Sequence, residues 1–539
     1  MSLFRDIALP AVLAFASISF ASADDSLQAD LLFTYGESGQ PCPNVFYTGE
    51  TLFVSLRLTG LKDSRPYTGQ IQIDGIVVDS NNQQILKTQG KPNYYTQVLG
   101  GDSLETTLEI DSDRKGIPPG NYTLVVTITH LSSGRVIEAR KPFIWKEPKS
   151  FCNAEPSWFL DVNHEFPSGP TLQPGRFYAL GTRVMNMSFD DRTFRVRSRI
   201  DLYRFDSKTL LGGTAEVTLT TTVPEQERLP ERFWDTTLLQ FNKVGRFSIS
   251  QESVDQPTGK TTSMKLPVDI SGTGQDSKSD NIEPFMFLTH GKYGVARTTD
   301  FLMGEDIWAT LGFADPNHGG RTTQASHVYF LDGHGRVVTE FSLGESKVLA
   351  GFGDRFFLGY LQFGVNPDRG LVEPVREIQL HLTEKEKGTK TILSAPIRFM
   401  PIEGLSAINL RVSRDSHDKV AAGQFLTAGQ LYYLNCDITK YTVKDYAIDI
   451  THSVKAFTED GQPIAGTELV LDHKRALSVA EKLNAQLPLT MQISLNRPGK
   501  FLLRSTFTDN LSGQTYTSDM PVEVVSPFQF VKEEATIEN

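Results

Sequence analysis

Cysteine is scarce in this chain, with three in 539 residues, so no disulfide framework can build the fold. Tryptophan is almost as scarce: Trp145, Trp158, Trp234 and Trp308 are scattered and do not suggest a row of sugar-stacking platforms. Positive charge is outweighed, 53 Lys and Arg against 64 Asp and Glu for a net charge of -11. That balance opposes the counterion release that drives binding to nucleic acid. The densest basic stretch, Arg195, Arg197, Arg199 and Arg204, is interleaved with Phe194, Val196 and Ile200, as a solvated strand face is. No apolar run reaches the roughly 20 residues of a membrane-spanning helix, which excludes membrane insertion by that route. HExxH, GxSxG, P-loop and CxxC spacings are all missing. The glycine-rich spots Leu99-Gly100-Gly101 and His318-Gly319-Gly320 lead into no helical pattern that could receive a phosphate.

What is present is a repeat. A glycine opens an alternating apolar strand at Gly49, Gly175, Gly304 and Gly429, at intervals of 126, 129 and 125 residues. An acidic turn follows about 30 residues later at Asp79, Asp206, Asp332 and Asp460, and a hairpin glycine closes each copy at Gly134, Gly259, Gly388 and Gly513. Three landmarks holding one register predict four tandem copies. After the first glycine the alternate positions are apolar, as in Leu52, Val54, Leu56 and Leu58 or Tyr432, Leu434, Cys436 and Ile438, the period-2 pattern of half-buried strands. Modules one, two and four continue with a Gly-x-aromatic strand at Gly120, Gly245 and Gly499; module three offers Arg376 to Leu382 instead. Some seven short strands per copy predict an all-β chain of four antiparallel β-sandwiches, expected to form an elongated array.

The expected organisation is a signal peptide over 1–23, with Arg5, an apolar core and Ala21-Ser22-Ala23 as cleavage site. Modules follow at 24–150, 155–271, 284–402 and 404–527, with a flexible linker at 272–283 and a polar tail at 528–539. A short helix is expected over Arg475 to Leu483. The leader places the protein outside the cytoplasm, in the periplasm, at the cell surface or secreted.

The pattern resembles bacterial immunoglobulin-like or fibronectin-III-like tandem modules. The stretch PPGNYTLVVTITHLSSGR (118–135) is loosely similar to exported multi-module proteins of planctomycete-type bacteria. The resemblance covers the whole mature chain and implies a fold, with no functional residue attached. In an immunoglobulin-like sandwich the first strand can run parallel to the last, which would bring Cys42 and Cys152 to one end of module one. A Cys42 to Cys152 disulfide is therefore expected, with Cys436 buried and single.

For chemistry, Asp315, His318, His327, Asp332 and His334 crowd one stretch of module three, but their spacing fits no zinc template. Asp111, Asp113 and the Asp276 to Asp280 run fit no calcium loop. Asn121, Asn186 and Asn510 head glycosylation sequons, which carry no meaning if the source is bacterial. No catalytic residue, metal or cofactor is expected. The expected role is a non-enzymatic structural or adhesion scaffold binding protein partners of the cell envelope, with self-association allowed. The alternatives are a glycan- or peptide-binding protein using loops at one sandwich end, and an unrecognised hydrolase.

Overall fold

A computed structural model describes residues 27–536 apart from 62–67, 90–92, 97–98, 113–116, 149, 206–208, 231, 273–274, 277–283, 298, 315–320, 350–355, 365–374, 387, 479–480 and 482–484. The expected leader thus lies outside the described residues, as do Asp113, Asp315 and His318. The first module carries strands β1 (Gln28–Thr34), β2 (Val45–Tyr47), β3 (Leu52–Thr59), β4 (Thr68–Asp79), β5 (Gln84–Gln89), β6 (Asn93–Thr96), β7 (Leu104–Ile110), β8 (Gly120–His130) and β9 (Arg135–Lys146). One sheet has the order β1-β3-β7. The other has β2-β9-β8-β4-β5, with β6 also on β4. β2 runs parallel to β9, while the other pairs are antiparallel.

The same order recurs. In the second module Cys152–Phe159, Phe177–Met185 and Arg232–Gln240 face a sheet that begins with Thr171–Leu172 parallel to Lys260–Ile270. In the fourth, Ser406–Ser413, Leu431–Thr439 and Gln486–Ser494 face a sheet that begins with Phe425–Thr427 parallel to Thr515–Val525. The third module differs at its last strand, which is broken after Pro396. Lys390–Pro396 pairs with Val375–Glu384, and Arg398–Met400 pairs parallel with Asp300–Leu302. These are immunoglobulin-like sandwiches in which the opening segment contributes to both sheets.

The alternating residues point where their period requires. Leu52, Val54, Leu56 and Leu58 are fully buried, and Thr182, Leu311 and Cys436 occupy the column of Leu56 in the other modules. Gly49, Gly175, Gly304 and Gly429 all take φ between 77° and 99°, the left-handed turn into the strand that a side chain resists. Gly134, Gly259, Gly388 and Gly513 each donate their N–H to the carbonyl four residues back, closing equivalent hairpins.

Two expectations need correction here. Arg475 and Ala476 end the strand Pro463–Ala476, so the expected helix does not start there; Glu481 within it is helical, and 479–480 and 482–484 lie outside the described residues. The polar tail expected from 528 contains a 3-10 segment, Pro527–Thr536. Within the expected linker, Gln275–Asp276 adds a short parallel strand beside Lys243 and Val244.

The larger correction concerns shape: the array is closed rather than elongated. Modules one and four touch, since the buried Asn496 accepts from Leu99 N–H at 2.9 Å and donates to the carbonyls of Gly100 and Ser103 at 3.0 and 2.9 Å. Leu99 itself packs in the fourth module's core. Modules two and three meet through Gln173 to the Tyr293 carbonyl at 2.9 Å and Tyr360 to the Pro174 carbonyl at 2.8 Å. Modules two and four meet where Arg176 donates to the carbonyls of Ala422 and Ala421 at 3.1 and 2.7 Å. Alternating patterns report which face of a strand is buried and carry no information about contacts between modules, so the ring was invisible in them.

The ring repeats its contacts twice. Residues of modules one and two recur 255 and 254 positions later in modules three and four. Gly36 lies against Ser157 as Gly291 lies against Arg411, and Gly169 against Thr427 as Gly423 against Gln173. The chain is therefore built as two copies of a two-module unit that embrace each other. A Cβ at Gly429 would stand 2.3 Å from the Glu105 carbonyl oxygen across the module one to four contact, whereas one at Gly304 meets only Gln486 at 3.5 Å. Gly304→Ala should cost about 1 to 2 kcal/mol for the left-handed backbone alone. Gly429→Ala should cost more and lower the unfolding midpoint of both end modules; equal midpoints for the two variants would contradict the ring.

Candidate functional site

The junctions between modules are built from buried polar groups. The residue after the first landmark glycine, Glu50, accepts N–H bonds from Tyr47 at 2.5 Å and, across the junction, from Glu155 at 2.7 Å. Glu155 sits at a β-bulge with φ 48° and returns the contact by accepting the Thr51 N–H at 3.1 Å. Arg183 pairs with Glu155 at 3.1 Å. The third junction, between modules three and four, copies this hook: Glu305 accepts from Leu302 and Asn409, and Asn409, at φ 57°, accepts the Asp306 N–H at 2.7 Å. Asn409 there donates to Asp437, which stands where Arg183 stands in the first copy.

Beside the second hook lies a cleft of about 510 Å³ shared by modules two, three and four. Its walls include His290, Arg297, Trp308 and Gln362 from module three, Arg411, Asp418 and Lys419 from module four, and Arg176 from module two. Arg411 is held by an ion pair with Asp418 and donates to the Asn409 carbonyl at 2.7 Å. Arg297 pairs with Glu305 at 3.2 Å, and Gln362 donates to Asp306 at 3.1 Å. Burial, with Arg297 nearby, drives His290 down to about 3, so it is a neutral imidazole. Its Nδ1 has no hydrogen-bond partner. Burial raises the Asp418 carboxyl against the pull of Arg411.

The corresponding place at the first hook is closed. There the recess lined by Tyr35, Trp158, Leu172 and Pro267 measures about 10 Å³. The 254- and 255-residue offsets match Tyr35 to His290 and Trp158 to Val412. Trp158 packs edge-on to Phe241, 5.8 Å away, and joins the second module's core. Two large side chains in one half are thus small or polar in the other, and space opens where they would be.

Of the described residues singled out in the sequence, Trp308 alone lines this cleft. No disulfide joins Cys42 to Cys152. Cys42 packs on the first module's core, its N–H bonded to Phe33. Cys152 opens the first strand of module two and packs with Tyr47, Ala154 and Met185. The expected pairing treated Cys152 as the exit of module one, but the chain has already turned into the next sandwich. Burial and Glu50 push the Cys152 thiol up to about 11, and burial holds Cys436 higher still. His327 stands opposite His381 on a neighbouring strand, and Asp332 is occupied capping its own turn through His334 and Arg336 N–H groups. Among the described residues no three His, Cys, Asp or Glu side chains gather as a metal site. Trp145 is buried, Trp234 stacks with His164 and Arg183, and Trp308 alone of the four faces the cleft. Sequence reading passed over His290, Arg411 and Lys419 because they come from separate modules. The 254-residue offset that aligns Val412 with Trp158 was the available signal.

No family model matches the chain, and no curated protein matches it. Among solved structures, Escherichia coli alpha-2-macroglobulin activated by porcine elastase is 10% identical over 93% of this chain and 44% of that one, with a TM-score of 0.15. The ICAM-5 D1-D4 ectodomain fragment is 12% identical over 93% of this chain and 100% of that one, at 0.14. Latent PorU from Porphyromonas gingivalis is 12% identical over 73% of this chain and 36% of that one, at 0.21. The chain spans less than half the length of the alpha-2-macroglobulin. The immunoglobulin-like assignment rests on the strand order of the sandwiches themselves. The chain is a multi-module immunoglobulin-like protein.

Two measurements test the junctions. Titration of the unfolded, unreduced chain should find three thiols, with Cys152 and Cys436 unreactive until denaturation; a count of one would restore the bridge. Burial raises both Glu50 and Glu155 to about 7, above the roughly 4.3 of an unfolded glutamate. The folded junction therefore holds protons that the unfolded chain releases. Its contribution is full below about pH 4 and declines as pH rises to about 7. The unfolding temperature should fall over that window, and Glu50→Gln should flatten the fall; an unchanged slope in the variant would refute this origin.

Proposed function

We propose that the protein is an exported, non-enzymatic scaffold whose four sandwiches hold a fixed arrangement and present their outer strands and hairpins to protein partners of the cell envelope. The observation that carries this reading is the ring of junctions, in which buried Glu50, Arg176, Glu305 and Gln430 each bond to another module. A closed frame pays the entropy of ordering its surfaces in advance, so partners meet them preformed. Among the described residues no helix is long and apolar enough to cross a membrane, which fits attachment through protein contacts. Against an unrecognised hydrolase, the described members of the module-three set, His327, Asp332 and His334, occupy a strand and a turn rather than one pocket.

A second reading, binding of a small ligand, is favoured by the junction cleft, which is open where its counterpart is filled. The leading reading is tested by fractionating cells that make the native chain. A mature N-terminus at Asp24 in the envelope or medium, with reproducible crosslinks from outer-strand lysines to one partner, is the expected result. Recovery of the chain in the cytoplasm with residues 1–23 attached would overturn it.

A further inference from the structure

Resting on the second reading, that the cleft binds a ligand, we infer that it takes a small polar molecule carrying a carboxylate. The argument is the contrast between the two halves of the ring. At the positions that correspond to Glu37 and Glu165 of the first half, the open cleft presents Lys292 and Lys419, both exposed at its rim. Where the first half has Cys42 and Ser157, the second has Arg297 and Arg411. The lining thus holds Arg176, Lys292, Arg297, Arg411 and Lys419 against Asp306 and Asp418, with Glu305 and Asp437 paired to Arg297 and Arg411, in a chain whose net charge is -11. A positive recess in an acidic protein attracts anions and repels little else of its own kind.

The remaining groups set the ligand's character. Arg297 and Arg411 are fixed by Glu305 and Asp418, so their guanidinium groups are held in place, while the two lysines are the mobile cations nearest solvent. Gln362 and Asn409 add amide groups, and Trp308 a flat apolar wall. A cleft of about 510 Å³ lies within the usual range of small-molecule sites, ~300 to 1,000 Å³. Acidic saccharides and short acidic peptides both supply a carboxylate on a polar frame of this size. The filling in the other half shows how little change closes the site: an indole at position 158 takes the space that Val412 leaves.

Calorimetry on the full chain at low and moderate salt tests this with trigalacturonate, neutral maltotriose and the peptide acetyl-Glu-Asp-Glu-amide. Binding of an acidic probe is expected, weakening with salt, and whichever of the two binds tighter identifies the source. Lys292→Glu with Lys419→Glu, which installs the charges of the filled half on exposed positions, should weaken binding by roughly tenfold or more, the scale of a lost charge-assisted contact. Lys260→Glu on a remote hairpin should leave it unchanged. Val412→Trp should abolish binding at an unchanged melting temperature; should it fail to fold, the lysine variants carry the test. Equal binding of maltotriose, unaffected by the lysine changes, would overturn the carboxylate inference while leaving the cleft a binding site. No binding of any probe at millimolar concentration would overturn both.

Discussion

The structure depends on one exchange of hydrogen bonds, the hook in which a buried carboxylate of one module accepts a backbone N–H of the next. Glu50 and Glu155 perform it at the first junction, and Glu305 and Asn409 at the third. Burying a carboxylate is costly unless its oxygens are satisfied, and here the partners that satisfy them are backbone groups at a bulge of the neighbouring sandwich. The module that supplies the carboxylate therefore cannot drift from the one that supplies the bulge without stranding charge in the interior. Each hook ties one module to the next, and hydrogen bonds between modules one and four join the two ends of the chain.

Closure then brings the other contacts within reach. Asn496 meets the turn at Leu99 to Ser103, and half-buried Arg57 joins buried Glu105 and Ser526 in a cluster between the first and last modules. These groups are far apart in sequence and buried in the ring. A sandwich fills its own interior with side chains from both sheets, and the ring adds recesses between modules to those on a module's own surface. The ring creates two such spaces in equivalent positions, and substitution has filled one and opened the other.

That divergence is the main clue to function. Where both halves keep the same group, as with Glu50 and Glu305 or Tyr178 and Tyr432, the residue serves the frame. Tyr178 and Tyr432 each accept the backbone N–H of the residue five positions earlier, Gln173 and Thr427. The halves differ at many positions, and among them His290, Lys292, Val412 and Lys419, which correspond to Tyr35, Glu37, Trp158 and Glu165, line the one cleft that is open.

The sequence by itself determined the local structure: four sandwiches, their landmark glycines, the inward column from Leu56 to Cys436 and the hairpins at Gly134, Gly259, Gly388 and Gly513. Those follow from steric and hydrophobic rules that act within a few residues, so the period-2 pattern and the turn chemistry display them directly. The expected Cys42 to Cys152 bridge failed because it rested on where one module ends, and the bulged strand beginning at Cys152 already belongs to the next. The closed ring, the hooks and the cleft were decided by tertiary structure, because each joins residues more than 100 positions apart through single hydrogen bonds and side-chain volumes that leave no periodic trace. Glu155 reads as one more charged residue after a proline-lysine turn; only the buried carboxylate of Glu50 opposite its N–H gives it a role.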